Sequence, residues 1–346
     1  MQNLGKSLLF IGLLVSILNC AGNKKLFEAA RNGDEKKISQ YINEKKDVNV
    51  KDKDFGGTLL MYSAGFGYTN IVKMLLDAGA DVNATNNLNG TALMNACNYG
   101  YDEIVKLLLE KGADVNTVDT LQRTALMFAI ARYRLEITKE LLKSKANVNV
   151  RNKEGVTPLM LAVNFQFTEA LPILLKEKAD INATDLFGET ALIKAVYKND
   201  IDSIKFLIQN RADVNSKAND GKTALIIAAK KGQKDMVSAL IKAKADLNLA
   251  DSSGYTPLIW AVNMGEMEII RQLLSAGANP NMQDERGQTA LMKSVLQGNL
   301  EMTALLLSKK HDLTLKDKSG QTALALAIEN SQGDIVNQLK KAGAKN

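Results

Sequence analysis

The sequence predicts an all-α solenoid of stacked repeats, and three observations predict it. Nine threonines, Thr58, Thr91, Thr124, Thr157, Thr190, Thr223, Thr256, Thr289 and Thr322, recur every 33 residues along a chain of 346. A fixed period of that length marks units that bury an apolar face only by stacking on their neighbours. A leucine stands two residues after each threonine, from Leu60 and Leu93 to Leu291 and Leu324. Further on, apolar residues return at helical spacing, as Ile71, Val72, Leu75 and Leu76, then Ile104, Val105, Leu108 and Leu109. That spacing places them on one face of a second helix.

In chain order, residues 1–19 read as a targeting segment. Lys6 and the amino terminus precede an apolar run from Ser7 to Leu18 that is too short to span a bilayer. Residues 20–23 form a short tether, and 24–346 the repeat domain. The domain opens with a cap repeat, 24–49, that lacks the threonine and has a loop one residue longer; an atypical end repeat is expected where one face meets water. Nine repeats follow from Thr58 to the C-terminus. In each, the threonine hydroxyl suits the N-cap of a first helix. Pro158 and Pro257 fit the first helical position, where proline gives up no hydrogen bond. A tight turn, a second helix and a closing loop such as Gly79-Ala80-Asp81-Val82-Asn83 complete the unit.

Gly155-Val156-Thr157-Pro158-Leu159-Met160 and Gly254-Tyr255-Thr256-Pro257-Leu258-Ile259 resemble the ankyrin-repeat signature Gly-x-Thr-Pro-Leu-His. The resemblance extends over residues 24–346. It implies helix–turn–helix repeats with hairpin-like loops, and a partner protein met by the loop tips and the inner face of the first helices. Two departures carry expectations. Methionine (Met61, Met94, Met127, Met160, Met292) or isoleucine replaces the signature histidine, exchanging a polar bridge for apolar packing. The inter-helix glycine of Gly67, Gly100, Gly232, Gly265 and Gly298 becomes Tyr133, Gln166, Asn199 or Ser331 elsewhere. The Thr124 and Thr157 repeats are therefore expected to turn differently or to be the soft part of the stack. Pro172, inside the second helix of the Thr157 repeat, is expected to delay or kink it.

Ile17-Leu18-Asn19-Cys20 is similar to the lipobox of bacterial lipoproteins, although Asn19 is unusual before the cysteine. The resemblance implies cleavage before Cys20, its lipidation, and a place in the cell envelope, with the outer membrane favoured by Ala21. A secretory peptide cut nearby and an uncleaved anchor are the alternatives. Only Ala21, Gly22 and Asn23 separate Cys20 from the repeats, a reach of roughly 10 Å, so a lipidated chain would hold its first repeat against the membrane.

Catalysis finds little support. His311 is the one histidine and reads as solvated; Cys97 reads as a small buried hydrophobe. No cysteine or histidine cluster has metal-ligand spacing, and no cofactor is expected. A net charge of +6 spread over the chain is mild, giving no case for nucleic acid. The chain reads as a monomer that is not an enzyme.

The binding expectation rests on where the aromatics lie. Phe55, Tyr62, Phe66, Tyr99, Phe128, Phe165, Phe187, Tyr197, Tyr255 and Trp260 occupy loop-tip or inner-face positions. Eight residues after each threonine the chain reads Phe66, Tyr99, Arg132, Phe165, Lys198, Lys231, Met264, Gln297 and Asn330. Lys194, Lys198, Lys222, Lys230 and Lys231 are expected to form one basic patch beside Phe187 and Tyr197, steering an acidic region of the partner. The expected function is protein binding on this face, with an inhibitor or immunity protein blocking one envelope toxin or enzyme as the alternative.

Overall fold

The computed structural model describes residues 23–345, so the leader and Cys20 lie outside the described residues. The chain divides into two compact units, the first ending at Ala179 and the second starting at Asp180. In the first unit the helices are α1 (23–32), α2 (Glu35–Asn43), α3 (Leu59–Phe66), α4 (Thr69–Asp77), α5 (Ala92–Tyr99), α6 (Asp102–Glu110), α7 (Ala125–Ala131), α8 (Leu135–Lys143), α9 (Pro158–Asn164) and α10 (Ala170–Lys176). In the second they are α11 (Ala191–Tyr197), α12 (Ile201–Gln209), α13 (Ala224–Lys230), α14 (Lys234–Lys242), α15 (Pro257–Met264), α16 (Met267–Ser275), α17 (Ala290–Leu296), α18 (Leu300–Leu307), α19 (Ala323–Glu329) and α20 (Gly333–Lys341). Within each unit first helices pack on first helices and second on second. Among the described residues there are no strands longer than isolated bridges, such as Lys51 with Thr58.

Every one of the nine threonines caps its first helix. Thr58 Oγ1 accepts from Met61 N at 3.3 Å, and the same bond recurs as far as Thr322 with Ala325 N at 3.2 Å. The methionines in the histidine position are buried, as the sequence suggested, among Leu60, Leu93, Leu126 and their equivalents. Within each unit, successive closing loops are stitched together by asparagines. Asn49 Oδ1 accepts from Asp81 N and Asn83 Oδ1 from Asp114 N, both at 2.7 Å, while Asn83 Nδ2 donates to Gly112 O. The loops thus satisfy one another's backbone groups beyond the helix ends.

One expectation is half corrected and another holds. Tyr133, Gln166, Asn199 and Ser331 take φ of 54–57°, the left-handed conformation of the glycine they replace. The Thr124 and Thr157 repeats therefore turn as the others do and absorb the strain, roughly 1–2 kcal/mol per residue. Pro172 does delay its helix. α10 starts 13 residues after Thr157, whereas α4 starts 11 after Thr58, and Pro172 then falls in the first turn, where its missing N–H has no intrahelical partner to lose. His311 is also corrected: it is half-buried, not solvated. Its Nδ1 lies 2.9 Å from Lys309 O, and burial lowers its pKa. Cys97 is fully buried, and burial pushes its thiol far up.

Candidate partner-binding surface

The first helices begin at the hairpins and end at the inter-helix turns, so each repeat shows a tip edge and a turn edge. In the first unit the turn edge is aromatic. Phe66 is 52% exposed, Tyr99 56% and Phe165 39%. Each of the first two is backed by a second ring: Phe66 stacks on Tyr68 with centroids 6.5 Å apart, and Tyr99 tilts against Tyr101 at the same distance. Tyr68 and Tyr101 pack over the inter-helix glycines of the preceding repeats. A Cβ on Gly33 would lie 2.5 Å from Tyr68 and one on Gly67 2.4 Å from Tyr101, so glycine is needed there for close approach as well as for its φ. Arg134 covers Gly100 in the same way and donates to Tyr99 O at 2.9 Å. Arg132 is exposed, its Nε donating to Asn98 Oδ1. Tyr133, where the turn glycine is missing, adds an exposed ring in edge contact with Phe165 (6.4 Å) and Phe167 (5.6 Å).

The positions between the two edges do other work. Asp52 accepts through Oδ1 from the N–H groups of Asp54 and Phe55, holding the hairpin, and Tyr62 Oη donates to its Oδ2 at 2.6 Å. Tyr62 also lies beneath the Arg31 guanidinium and against Phe27. Arg123 bonds Asp119 through Nε at 2.7 Å and covers Phe128. Tyr62 and Phe128 are thus only partly available to a partner.

The second unit carries this arrangement further. Asp185 holds its hairpin by accepting from Phe187 N and Glu189 N, and its other oxygen meets Lys194. Asp251 does the same with Trp260 Nε1 at 2.8 Å. Lys293 Nζ lies 2.7 Å from Asp284 Oδ2 while hydrogen-bonding Tyr255 Oη and Gln288 Oε1, so its tie to the aspartate is ionic. Lys194 is the main correction to the expected basic patch. It is buried between Asp185 and Glu189. Burial works against its charge, the two carboxylates outweigh that, and it titrates above the ordinary lysine range. Lys222 is tied to Asp220, which raises its pKa. The patch therefore reduces to Lys198, Lys230 and Lys231. Lys198 is exposed; Lys230 sits 4.0 Å over the Trp260 ring, and Lys231 5.2 Å over Tyr197 while donating to Tyr197 O. Tyr255 packs on Trp260 at 5.0 Å. Phe187 and Tyr197 are exposed as expected, Phe187 with Leu186 at one hairpin tip.

Sequence reasoning missed two sets of residues. The second unit's aspartate-to-donor ties join a residue five before the threonine to one four after it, a pairing visible only when both columns are read together. Exposed Leu88 and Leu121 at the tips, with Tyr133 at the turns, were passed over because only aromatics in chosen columns were followed. A shallow groove of about 500 Å³ beside α12 and α14 is lined by Ile201, Lys205, Ile208, Asp235 and Lys242, without histidine or cysteine. Among the described residues no group of three or more histidine, cysteine, aspartate or glutamate side chains could hold a metal ion, and no helix is long and apolar enough to cross a membrane.

Capped helix pairs, asparagine-stitched loops and a front of exposed side chains define a repeat scaffold built for interaction. The chain belongs to the ankyrin-repeat family. The family model described as ankyrin repeats (3 copies) matches residues 26–119, 112–185, 192–284 and 261–346, and that described as ankyrin repeats (many copies) matches 168–208. No curated protein matches the chain. Ankyrin repeats indicate a protein–protein interaction module, and proteins built from them are generally non-catalytic.

Proposed function

We propose that this chain binds a partner protein through the aromatic turn edge of its first unit, without catalysis, while held at a membrane by a lipid on Cys20 after export to the cell envelope. The observation that carries the binding reading is the row Phe66, Tyr99 and Phe165, large rings left exposed in successive repeats with Arg132 and Tyr133 among them. Aromatic and arginine side chains dominate the energetics of protein interfaces, and rings this exposed contribute little to folding. In the second unit Lys198, with Lys230 and Lys231, offers positive charge to an acidic region of the partner. The tether is supported by the lipobox-like Leu18-Asn19-Cys20 behind an apolar leader.

The test is an in-cell crosslinking pull-down from the envelope fraction, comparing the native chain with F66S/Y99S/F165S. A dominant protein recovered only by the native chain is the expected result, with the thermal melt unchanged. One tight partner would favour an inhibitor or immunity role over a scaffold with several weaker ones. Identical recoveries from both chains would remove the aromatic edge from function.

A further inference from the structure

We infer that the first three hairpin tips of the first unit form a second, apolar edge that rests on a lipid surface and sets how the tethered chain is oriented. This rests on the reading of Cys20 as a lipidated residue and adds a geometry to it. Phe55 is 63% exposed, Leu88 62% and Leu121 48%, each three residues before its threonine. They form one row, because the tips are bonded in sequence: Asn87 N donates to Phe55 O, Thr120 N to Leu88 O and Lys153 N to Leu121 O, at 2.9–3.0 Å. A large apolar side chain repeated at one register of protruding loops serves neither the core nor the hairpin.

The surroundings favour lipid over protein as the occupant. The second and third tips, Asn87-Leu88-Asn89 and Thr120-Leu121-Gln122, carry no formal charge. The nearest carboxylates turn inward. Asp52 is engaged by the N–H groups of Asp54, Phe55 and Gly57 and by Tyr62, and Asp119 by Leu121 N, Arg123 N and the Arg123 side chain. On these three tips Asp54 is the exposed acid, with Lys53 beside it; the unit's fourth tip carries exposed Lys153 and Glu154 and lies outside the apolar row. Uncharged loops bearing leucine can enter the headgroup boundary without burying a formal charge, and their apolar side chains gain from burial there.

The register supplies the independent link to the anchor. Leu26, Ala30 and Gly33 stand 34 residues before Leu60, Ala64 and Gly67, and both trios serve as first-helix core and turn. α1 is thus a first helix, it starts at residue 23, and first helices start at the tip edge, so a lipid on Cys20 would be tethered three residues from that edge. The aromatic edge lies at the other end of the first helices, about 12 Å away for an eight-residue helix. Tips seated on lipid would leave Phe66, Tyr99 and Phe165 free for a partner protein.

The experiment uses the full chain, processed in cells and reconstituted into vesicles of phosphatidylethanolamine and phosphatidylglycerol. Leu88→Cys, Leu121→Cys and, on the outer helix α8, Lys143→Cys each receive an environment-sensitive fluorophore. Buried Cys97, its thiol pushed far up, stays unlabelled. The expected result is at least twofold stronger quenching by nitroxide-bearing lipids at 88 and 121 than at 143. Equal, water-like emission at all three positions on an acylated chain overturns the lipid edge and leaves the tether standing. A mature chain whose mass shows Cys20 without acyl groups overturns both. Shielding of the tips only after an envelope protein extract is added assigns the edge to a protein and overturns the inference.

Discussion

The two units use the same repeat but treat its front differently. In the first, the residues eight after the threonine are rings and an arginine that reach solvent, and the tips end in Phe55, Leu88 and Leu121. In the second, the column four after the threonine is directed inward, as Tyr62 already is in the first. Lys194 serves Asp185, Trp260 serves Asp251, Lys293 serves Asp284, and Lys230 lies over Trp260. Exposed rings are free to bind, whereas side chains tied to buried carboxylates are committed to stability. Residue type alone does not separate the two, since an exposed aromatic and a strut aromatic occupy neighbouring columns.

The largest expected effect tests that division directly. Lys293→Ala leaves Asp284 buried beside a lost cation, and breaking such a pair costs about 3–5 kcal/mol. Phe66→Ser and Tyr99→Ser, made at exposed positions of the first unit, should each cost about 0.5 kcal/mol or less. Urea melts of the three variants measure the contrast. Similar losses in all of them would mean that the aromatic edge is as structural as the lysine ties. Next in size is Leu192→Ala, which removes a buried side chain and should cost about 2–5 kcal/mol. Because contacts run between adjacent repeats, hydrogen exchange should rise first in the Thr190 repeat and its neighbours. Uniform loss of protection along the chain would contradict that.

The fold was legible in the sequence almost to the residue. The period placed every threonine cap, Pro172 announced the late start of α10, and the methionines marked apolar packing where a histidine would bridge. These are local properties of one repeat, copied nine times. The candidate surface was legible only in part. Phe66, Tyr99, Phe165 and Phe187 are exposed as their columns suggested. Lys194 looked like part of a cationic patch because burial depends on the hairpin folding back over the first helix, and the aspartate that receives it stands nine residues away. Leu88 and Leu121 share the column of Phe55 but not its aromatic character, and only the hairpin geometry shows that leucines there are exposed.

A smaller effect concerns the turns. Gln166 holds φ of 54°, and Gln166→Gly should release the left-handed strain, stabilising the first unit by up to about 1 kcal/mol after the entropy glycine loses on folding. Tyr133→Gly relieves the same strain but removes the ring that meets Phe165 and Phe167. A gain in the glutamine variant and none in the tyrosine variant, read by thermal melts, would separate strain tolerated for its own sake from strain retained for an aromatic contact.

The smallest effect tells the units apart by pH. His311 is the chain's one histidine and lies in the second unit, at the place where the two preceding repeats have buried Ala245 and Ala278. Burial, only partly offset by the bond to Lys309 O, lowers its folded pKa below the ordinary value near 6.5. The neutral ring is therefore the form that the fold accepts. Above about pH 6.5 folded and unfolded chains are both neutral, and stability is full. As pH falls through 6.5 the unfolded chain takes up the proton first, so stability drops until the folded value is passed. Urea midpoints at pH 7.5 and 5.5 should differ for the transition of the second unit, with hydrogen exchange rising earliest around residue 311. His311→Ala restores the residue that the register holds elsewhere and should remove the difference. A pH dependence that survives this substitution would have to come from carboxylates, and the buried aspartate ties of the second unit would be the first place to look.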